Sequence, residues 1–238
     1  MSHGGQHDAC DFLTDLIAGD ASIGFSQSVN TTMQSCSHSW SVLESEPILQ
    51  LSLPRALSKP GSLDMRSLVE RHISSEVAFD TRCTSCSSDT PKGPAFVCRA
   101  FAAPLPSSFI IRLKRFTEGG GKRRDQVLPC DADFGGSTYR SAAIIEHRGR
   151  GTNSGHCVTW VRTDSGWELR NDSSVHVYPE LPPTCFENLY VAVYARVREP
   201  TTAAASESSK KALAENRTQS SRDKESAVSY THLTLPTS

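Results

Sequence analysis

Apolar positions recur at helical spacing early in the chain. Phe12, Leu13, Leu16 and Ile17 share a face within residues 6–18, with Asp8, Asp11 and Asp15 alongside. The pattern predicts an amphipathic helix with acids near its positive end. Residues 19–48 carry little periodicity, and Cys36 and Trp40 stand out from a Ser-rich stretch. Residues 48–53 alternate apolar and polar and predict a strand ended by Pro54. A short helix is expected over 63–72, with Leu63, Leu68 and Val69 as its apolar positions, and a loop over 81–94 around Cys83 and Cys86. The second half is richer in strands: 109–116, 139–147, 156–162, 167–170, 175–178 and 190–196, with a glycine and basic turn over 119–124. Turns at Gly149, Gly151, Gly155 and Gly166 separate several of them, which indicates a largely antiparallel sheet. From residue 200 large apolar side chains almost vanish. Residues 199–238 read as a polar tail, disordered or only transiently helical.

Composition narrows the function classes. The 238 residues suffice for one substantial core, or one domain plus a tail. Lys and Arg number 25 against 26 Asp and Glu, a formal charge of -1, which argues against nucleic-acid binding by bulk electrostatics. No apolar run approaches the roughly 18 residues of a membrane-spanning helix, and the polar first ten residues do not resemble a secretory signal. The eight cysteines are scattered through apolar or strand-like contexts. That placement points to a reducing compartment, cytoplasmic or nuclear rather than secreted, with most thiols acting as small buried hydrophobes.

One constellation could carry chemistry. Ser154-Gly155-His156-Cys157 opens one strand, and Arg170-Asn171-Asp172 ends the next. If the strands form a hairpin, Asn171 or Asp172 can accept from one imidazole nitrogen while the other faces a nucleophile, the arrangement a cysteine protease needs. The same residues equally suit plain turns. In the basic cluster, Lys114 and Arg115 belong to the 109–116 strand, and Lys122, Arg123 and Arg124 sit in a hairpin turn that reads chiefly as solvated, with nuclear targeting or nucleic-acid contact as the alternative.

Four segments, in order, carry a family resemblance. Gln6, Asp8, Ala9, Asp11, Phe12 and Leu13 form a glutamine-aspartate box, and Leu113-Lys114-Arg115-Phe116 ends a strand that starts near Pro106. Tyr139 to Gly149, then Ser154-Gly155-His156 and Trp167 to Asp172, form a histidine box, and Tyr194 and Arg196 lie in a closing strand. Together these resemble the ubiquitin-specific proteases, the papain-like deubiquitinases. The resemblance implies an α+β papain-like fold with a mainly antiparallel sheet, palm and fingers present and most of the thumb missing. Residues 1–198 are then a partial catalytic domain: the glutamine-box helix at 6–18, degenerate fingers at 36–86, and the palm sheet with the histidine box at 106–198. In such a protease His156 is the general base, Asn171 the third triad residue, and Asp172 a neighbouring acid that supports the His or the oxyanion. Asp8 and Asp11 hold the arginine-containing tail of ubiquitin by charge-assisted hydrogen bonds, with Asp11 one methylene shorter than the usual Glu.

The departures matter as much. The family's nucleophile lies in an Asn-x-Gly-Asn-Thr-Cys box, and no such box occurs here. Only five residues precede Gln6, so the part of the thumb that carries it is expected to be missing, and the nucleophile is unassigned. Cys10 shares a helix face with His7 but lacks a recognisable oxyanion hole. Cys157 points to the opposite strand face from His156 and stands where the family usually has Tyr. Without the thumb, Phe12, Leu16 and Ile17 are expected to form an exposed apolar patch.

In the fingers the resemblance implies a metal site of two Cys-x-x-Cys pairs. Cys83 and Cys86 form the second, and Cys36 has Ser39 where its partner belongs, with His38 next door. Two outcomes stand: zinc on Cys36, Cys83, Cys86 and an altered fourth ligand, or three cysteines without metal and no cofactor. The implied reaction is thiol-dependent hydrolysis of the bond after the terminal Gly of ubiquitin, with this chain inactive alone. The alternative is a non-catalytic ubiquitin-binding or scaffold module. The expected partners are ubiquitin or ubiquitin-conjugated proteins, with no nucleic acid and no membrane.

Overall fold

In the computed structural model, residues 9–17, 23–54, 63–83, 85–86, 92–151 and 154–197 are described. The expected tail at 199–238 lies outside them. The first sheet has four antiparallel strands, β1 (Phe25–Met33), β2 (Ser39–Glu46), β5 (Glu76–Thr81) and β6 (Gly93–Ala102), in the order β2-β1-β6-β5. The second has eight: β3 (Leu49–Ser52), β7 (Ser108–Lys114), β9 (Ala132–Phe134), β10 (Ser137–Gly151), β11 (Ser154–Thr163), β12 (Gly166–Asn171), β13 (Ser174–Tyr178) and β14 (Leu189–Arg196). Its order is β13-β12-β11-β10-β14-β7-β3, with β9 also on β10. Every pairing in it is antiparallel except β3 alongside β7. With helices α1 (Ala9–Ile17), α2 (Met65–Ile73) and α3 (Thr184–Asn188), the described chain is an α+β fold dominated by antiparallel sheet. No helix among the described residues is long and apolar enough to cross a membrane.

Both faces of the larger sheet are covered where β7 and β14 run. Phe109, Ile111 and Leu113 face a core completed by Leu49 and Leu51 of β3 and by Met65, Leu68 and Val69 of α2. Ile110 faces the other way, into a second cluster with Ile17, Ile48, Tyr190 and Val191. Each such side chain taken from water contributes about 1.5–3 kcal/mol. Helix α2 is well bounded. The Asp64 carboxylate accepts from the Ser67 amide at 2.7 Å, and Arg71 and His72 occupy the last turn, where cations suit the helix dipole. Leu63, expected inside this helix, instead pairs with Val127 in a two-residue parallel ladder of β4 (Leu63–Asp64) and β8 (Val127–Leu128). Aromatic rings join the sheets. Phe25 and Phe101 of the smaller sheet meet Phe109, which stacks on Phe134 at 4.4 Å.

Three expectations need correction. Residues 19–48 contain β1 and β2, and β5 and β6 flank and enter the stretch read as a loop over 81–94. The carrier strands are rich in Ser, Thr, Asn and Glu, and β2 is mostly exposed, so no apolar alternation announces them. The apolar patch on α1 comprises Phe12 and Leu16, 61% and 66% exposed, while Ile17 is buried against the larger sheet.

Third, the basic cluster is only partly solvated: Lys114 and Arg124 are exposed, whereas Arg115 is buried and Lys122 and Arg123 are half-buried. Arg115 is fully buried and donates to the carbonyls of Leu189, Arg123, Asp125 and Phe186. Arg123 donates to the Leu53 and Pro54 carbonyls and grips both oxygens of Asp125. Lys122 donates to His147 O and, at 2.8 Å, to Asn188 Oδ1. Arg115, Lys122 and Arg123 tie the chain over 115–125 to α3, to the start of β14, to β10 and to the residues that follow β3.

Candidate functional site

His156 and Asn171 are brought together by the β11–β12 hairpin, which β10 flanks. β10 and β11 pair with Arg148 opposite His156, and β11 and β12 pair with Arg170 opposite Thr159. The start of β11 therefore lies beside the end of β12. The turn between them needs Gly166: its φ is +131°, and a Cβ there would lie 2.3 Å from Tyr178 O. Upstream of His156, Gly155 lets the buried His147 ring pass beneath the strand, because a Cβ there would sit 2.3 Å from its Nε2. Asp172 opens the next hairpin with φ +51°, a left-handed conformation that Asp tolerates better than most residues.

The His156 Nε2 to Asn171 Oδ1 distance is 2.6 Å. An amide oxygen only accepts, so Nε2 carries the proton and Nδ1 is the basic nitrogen. Asp172 Oδ2 lies 3.9 Å from Nε2, with its side chain 82% exposed and that of His156 46% exposed. Water screens an ion pair at that distance and exposure, so Asn171 is the residue that orients the ring. Asp8 lies outside the described residues. Asp11 falls in α1, but its side chain, like that of Cys10, is not described.

A buried carboxylate that the sequence reading missed sits behind this hairpin. Glu146 Oε2 accepts from Trp160 Nε1 and Arg148, both at 3.0 Å, and Oε1 accepts from Asn188 at 3.4 Å. Its neighbour Cys185, 3.7 Å away, is pushed up to about 12 by burial and by that carboxylate. Such a thiol is inert as a nucleophile near neutral pH. Cys157 lies opposite His147 in the ladder, and its side chain leaves β11 on the face away from His156. The sequence signal for Glu146 is a charge that directly follows the apolar run Ala142-Ala143-Ile144-Ile145.

The second candidate centre is at one end of the smaller sheet. Cys36, His38, Cys83 and Cys86 place their donor atoms within 4.8 Å of one another. Cys36 Sγ and Cys83 Sγ are 3.6 Å apart, and His38 Nδ1 is 3.5 Å from both Cys83 Sγ and Cys86 Sγ. Tetrahedral zinc sets two thiolates about 3.8 Å apart and a thiolate and an imidazole nitrogen about 3.6 Å apart. The donor set therefore fits a closed four-coordinate metal, and His38 supplies the fourth ligand that the Cys-x-x-Cys pattern lacked. Burial opposes the Cys83 thiolate, but the Ser85 amide, His38 and Cys86 outweigh it and bring Cys83 down to about 6. Cys86, hydrogen-bonded to the Cys83 and Cys36 sulfurs, is pushed up to about 11. One thiolate is thus ready, and a metal would displace protons from the others.

No protein-family model matches the chain, and a search of curated proteins finds no match. Solved structures do match. A chain in the SAGA DUB module Ubp8/Sgf11/Sus1/Sgf73 bound to monoubiquitin superposes with a TM-score of 0.64 at 18% identity, over 82% of this chain and 50% of that one. A chain in the SAGA Ubp8/Sgf11/Sus1/Sgf73 DUB module bound to ubiquitin aldehyde gives 0.61 at 17% identity, with the same coverage. This likeness establishes the fold, and the chain spans about half the length of the chains it matches.

Proposed function

We propose that this chain is the palm and fingers of a ubiquitin-specific protease fold and that, as the chain stands, it binds ubiquitin without cleaving it. The carrying observation is the fold shared over 82% of the chain with DUB-module structures that hold ubiquitin. The His156–Asn171 pair, at the place the family resemblance assigns it, adds support. The larger sheet serves as the palm and the smaller as the fingers. Asp8 and Asp11 engage the ubiquitin tail. Zinc occupies Cys36, His38, Cys83 and Cys86, where it holds the end of the fingers together and does no chemistry. Thiolate ligands of this kind suit a reducing compartment, cytoplasm or nucleus.

Cleavage would need a thiol facing His156 Nδ1. Among the described residues, none of the hydrogen bonds of His156 involves a cysteine. Supplied with one, His156 would take the thiol proton and Asn171 would hold the ring. The test is a single sample of full chain, mixed with ubiquitin carrying a thiol-reactive C-terminal group and titrated in parallel with unmodified ubiquitin. Saturable binding without covalent adduct is expected. An adduct mapped to any cysteine would overturn the non-catalytic reading, and a folded chain that ignores ubiquitin would overturn the binding reading.

A further inference from the structure

A cavity of about 320 Å³ opens between α2, the edge strand β3, the end of β7 and the smaller sheet. Its charged lining is Arg71 and His72 of α2, Glu76 of β5, Arg99 of β6 and Lys114 of β7. We propose that this cavity binds a small phosphate-bearing anion, held by Arg71, Arg99 and Lys114.

The charge balance is the first argument. Three permanent cations face one carboxylate, in a chain whose overall charge is -1. Glu76 is committed to Arg99, with Oε1 2.5 Å from Nη1. Arg71 and Lys114 have no ion-pair partner among the described residues. Converging like charges repel, and an anion relieves that cost.

The neutral lining agrees. Gln50 and Ser52 are the exposed residues of β3, whose alternate residues Leu49 and Leu51 are buried. They add an amide and a hydroxyl to the cationic wall. His72 reports the same field from within. Burial lowers its pKa, Arg99 and Lys114 push it further down, and Glu76 and Glu44 only partly oppose them. Its Nε2 lies 2.9 Å from Gln27 Oε1, which can only accept and so fixes that proton.

Size and chemistry select the ligand. The volume lies at the low end of the roughly 300–1,000 Å³ of small-molecule sites. Guanidinium forks bind phosphate oxygens two at a time and Lys adds a point charge. Three cations suit a ligand with more than one negative charge better than a single carboxylate.

Pyrophosphate is the probe. It would be titrated into the full chain at constant ionic strength, with sodium chloride as the control, while the His72 ring resonances and the heat of binding are followed. Saturable binding is expected, with the His72 titration midpoint moving upward because the bound anion favours imidazolium. Arg71→Ala and Lys114→Ala, both at exposed positions that leave the core intact, should each weaken binding at least tenfold. A response matched by chloride, or an affinity unchanged in the double variant, would overturn the proposal.

Discussion

His156 and Asn171 are fifteen residues apart in sequence, yet their side chains meet at 2.6 Å because one hairpin folds the end of β12 back beside the start of β11. The bond sets the tautomer: the proton sits on Nε2 and the basic nitrogen is Nδ1. Asn171→Ala removes that constraint. Long-range nitrogen–proton correlation spectra should then show His156 passing from one tautomer to a mixture. The stability cost should stay below about 1 kcal/mol, since the pair is partly exposed. A spectrum unchanged by the substitution would mean that something else orients the ring.

The Cys36, His38, Cys83 and Cys86 centre should take one equivalent of zinc with release of protons, because Cys86 is held at about 11 in the metal-free protein. Calorimetry in buffers of different ionisation heat measures that release. His38→Ala should lower zinc affinity on the order of 100-fold, a ligand's share of the roughly 10–16 kcal/mol that structural zinc supplies. Wild-type affinity in that variant would place the fourth ligand elsewhere.

Arg115→Ala should be among the costlier single changes in the protein. It strips the partners from carbonyls of Leu189, Arg123, Asp125 and Phe186 at a fully buried position. The expected loss is about 3–5 kcal/mol, measured by denaturant unfolding. Arg115→Lys should recover little, because one ammonium cannot reproduce the planar fork.

Cys185 ties stability to alkaline pH. Its folded value is raised from 9.0 to about 12 by burial and Glu146. The folded state therefore keeps a proton that the unfolded state loses. This contribution is complete below about 9 and is lost as pH climbs toward about 12. Thermal unfolding followed from pH 8 to 11 should decline less steeply in Cys185→Ala than in the wild type. In the native protein at pH 8, iodoacetamide should modify the exposed Cys98 and spare Cys185, whose thiolate fraction is roughly 1,000-fold smaller than that of an ordinary thiol.

The larger sheet was legible in sequence because its strands bury short runs of apolar residues, as in 109–116 and 190–196. The hairpin geometry of His156 and Asn171 followed from the same reading. The smaller sheet was not legible. Its β1 places Ser, Gln, Asn and Thr among three apolar residues, and its order comes from pairing with β6 rather than from amphipathic alternation. Arg115 was legible as part of the strand end Leu113-Lys114-Arg115-Phe116, but its buried role was not. Only the fold brings the carbonyls of α3 and β14 to its guanidinium. His38 was visible as a neighbour of Cys36, but its ring joins Cys83 and Cys86 only once β1 and β6 are paired.

The parallel seam between β3 and β7 carries a kinetic consequence. Leu49 pairs with Ile111 and Leu51 with Leu113, so the strand that finishes one edge of the larger sheet waits for a segment about sixty residues downstream. Closing such a loop costs about 3–4 kcal/mol of chain entropy before any contact repays it. Strands β5 and β6 and Cys83 lie inside that span, whereas β1, β2 and Cys36 precede it. Cys36 and Cys83 both fall between Met33 and Ala95, which pair across β1 and β6. A metal that clamps them shortens the excursion, so the metal-loaded chain should refold faster in stopped-flow experiments than the chelated one. The ion at one end of the molecule would then set the tempo at which the sheet bearing His156 is completed, without ever approaching it.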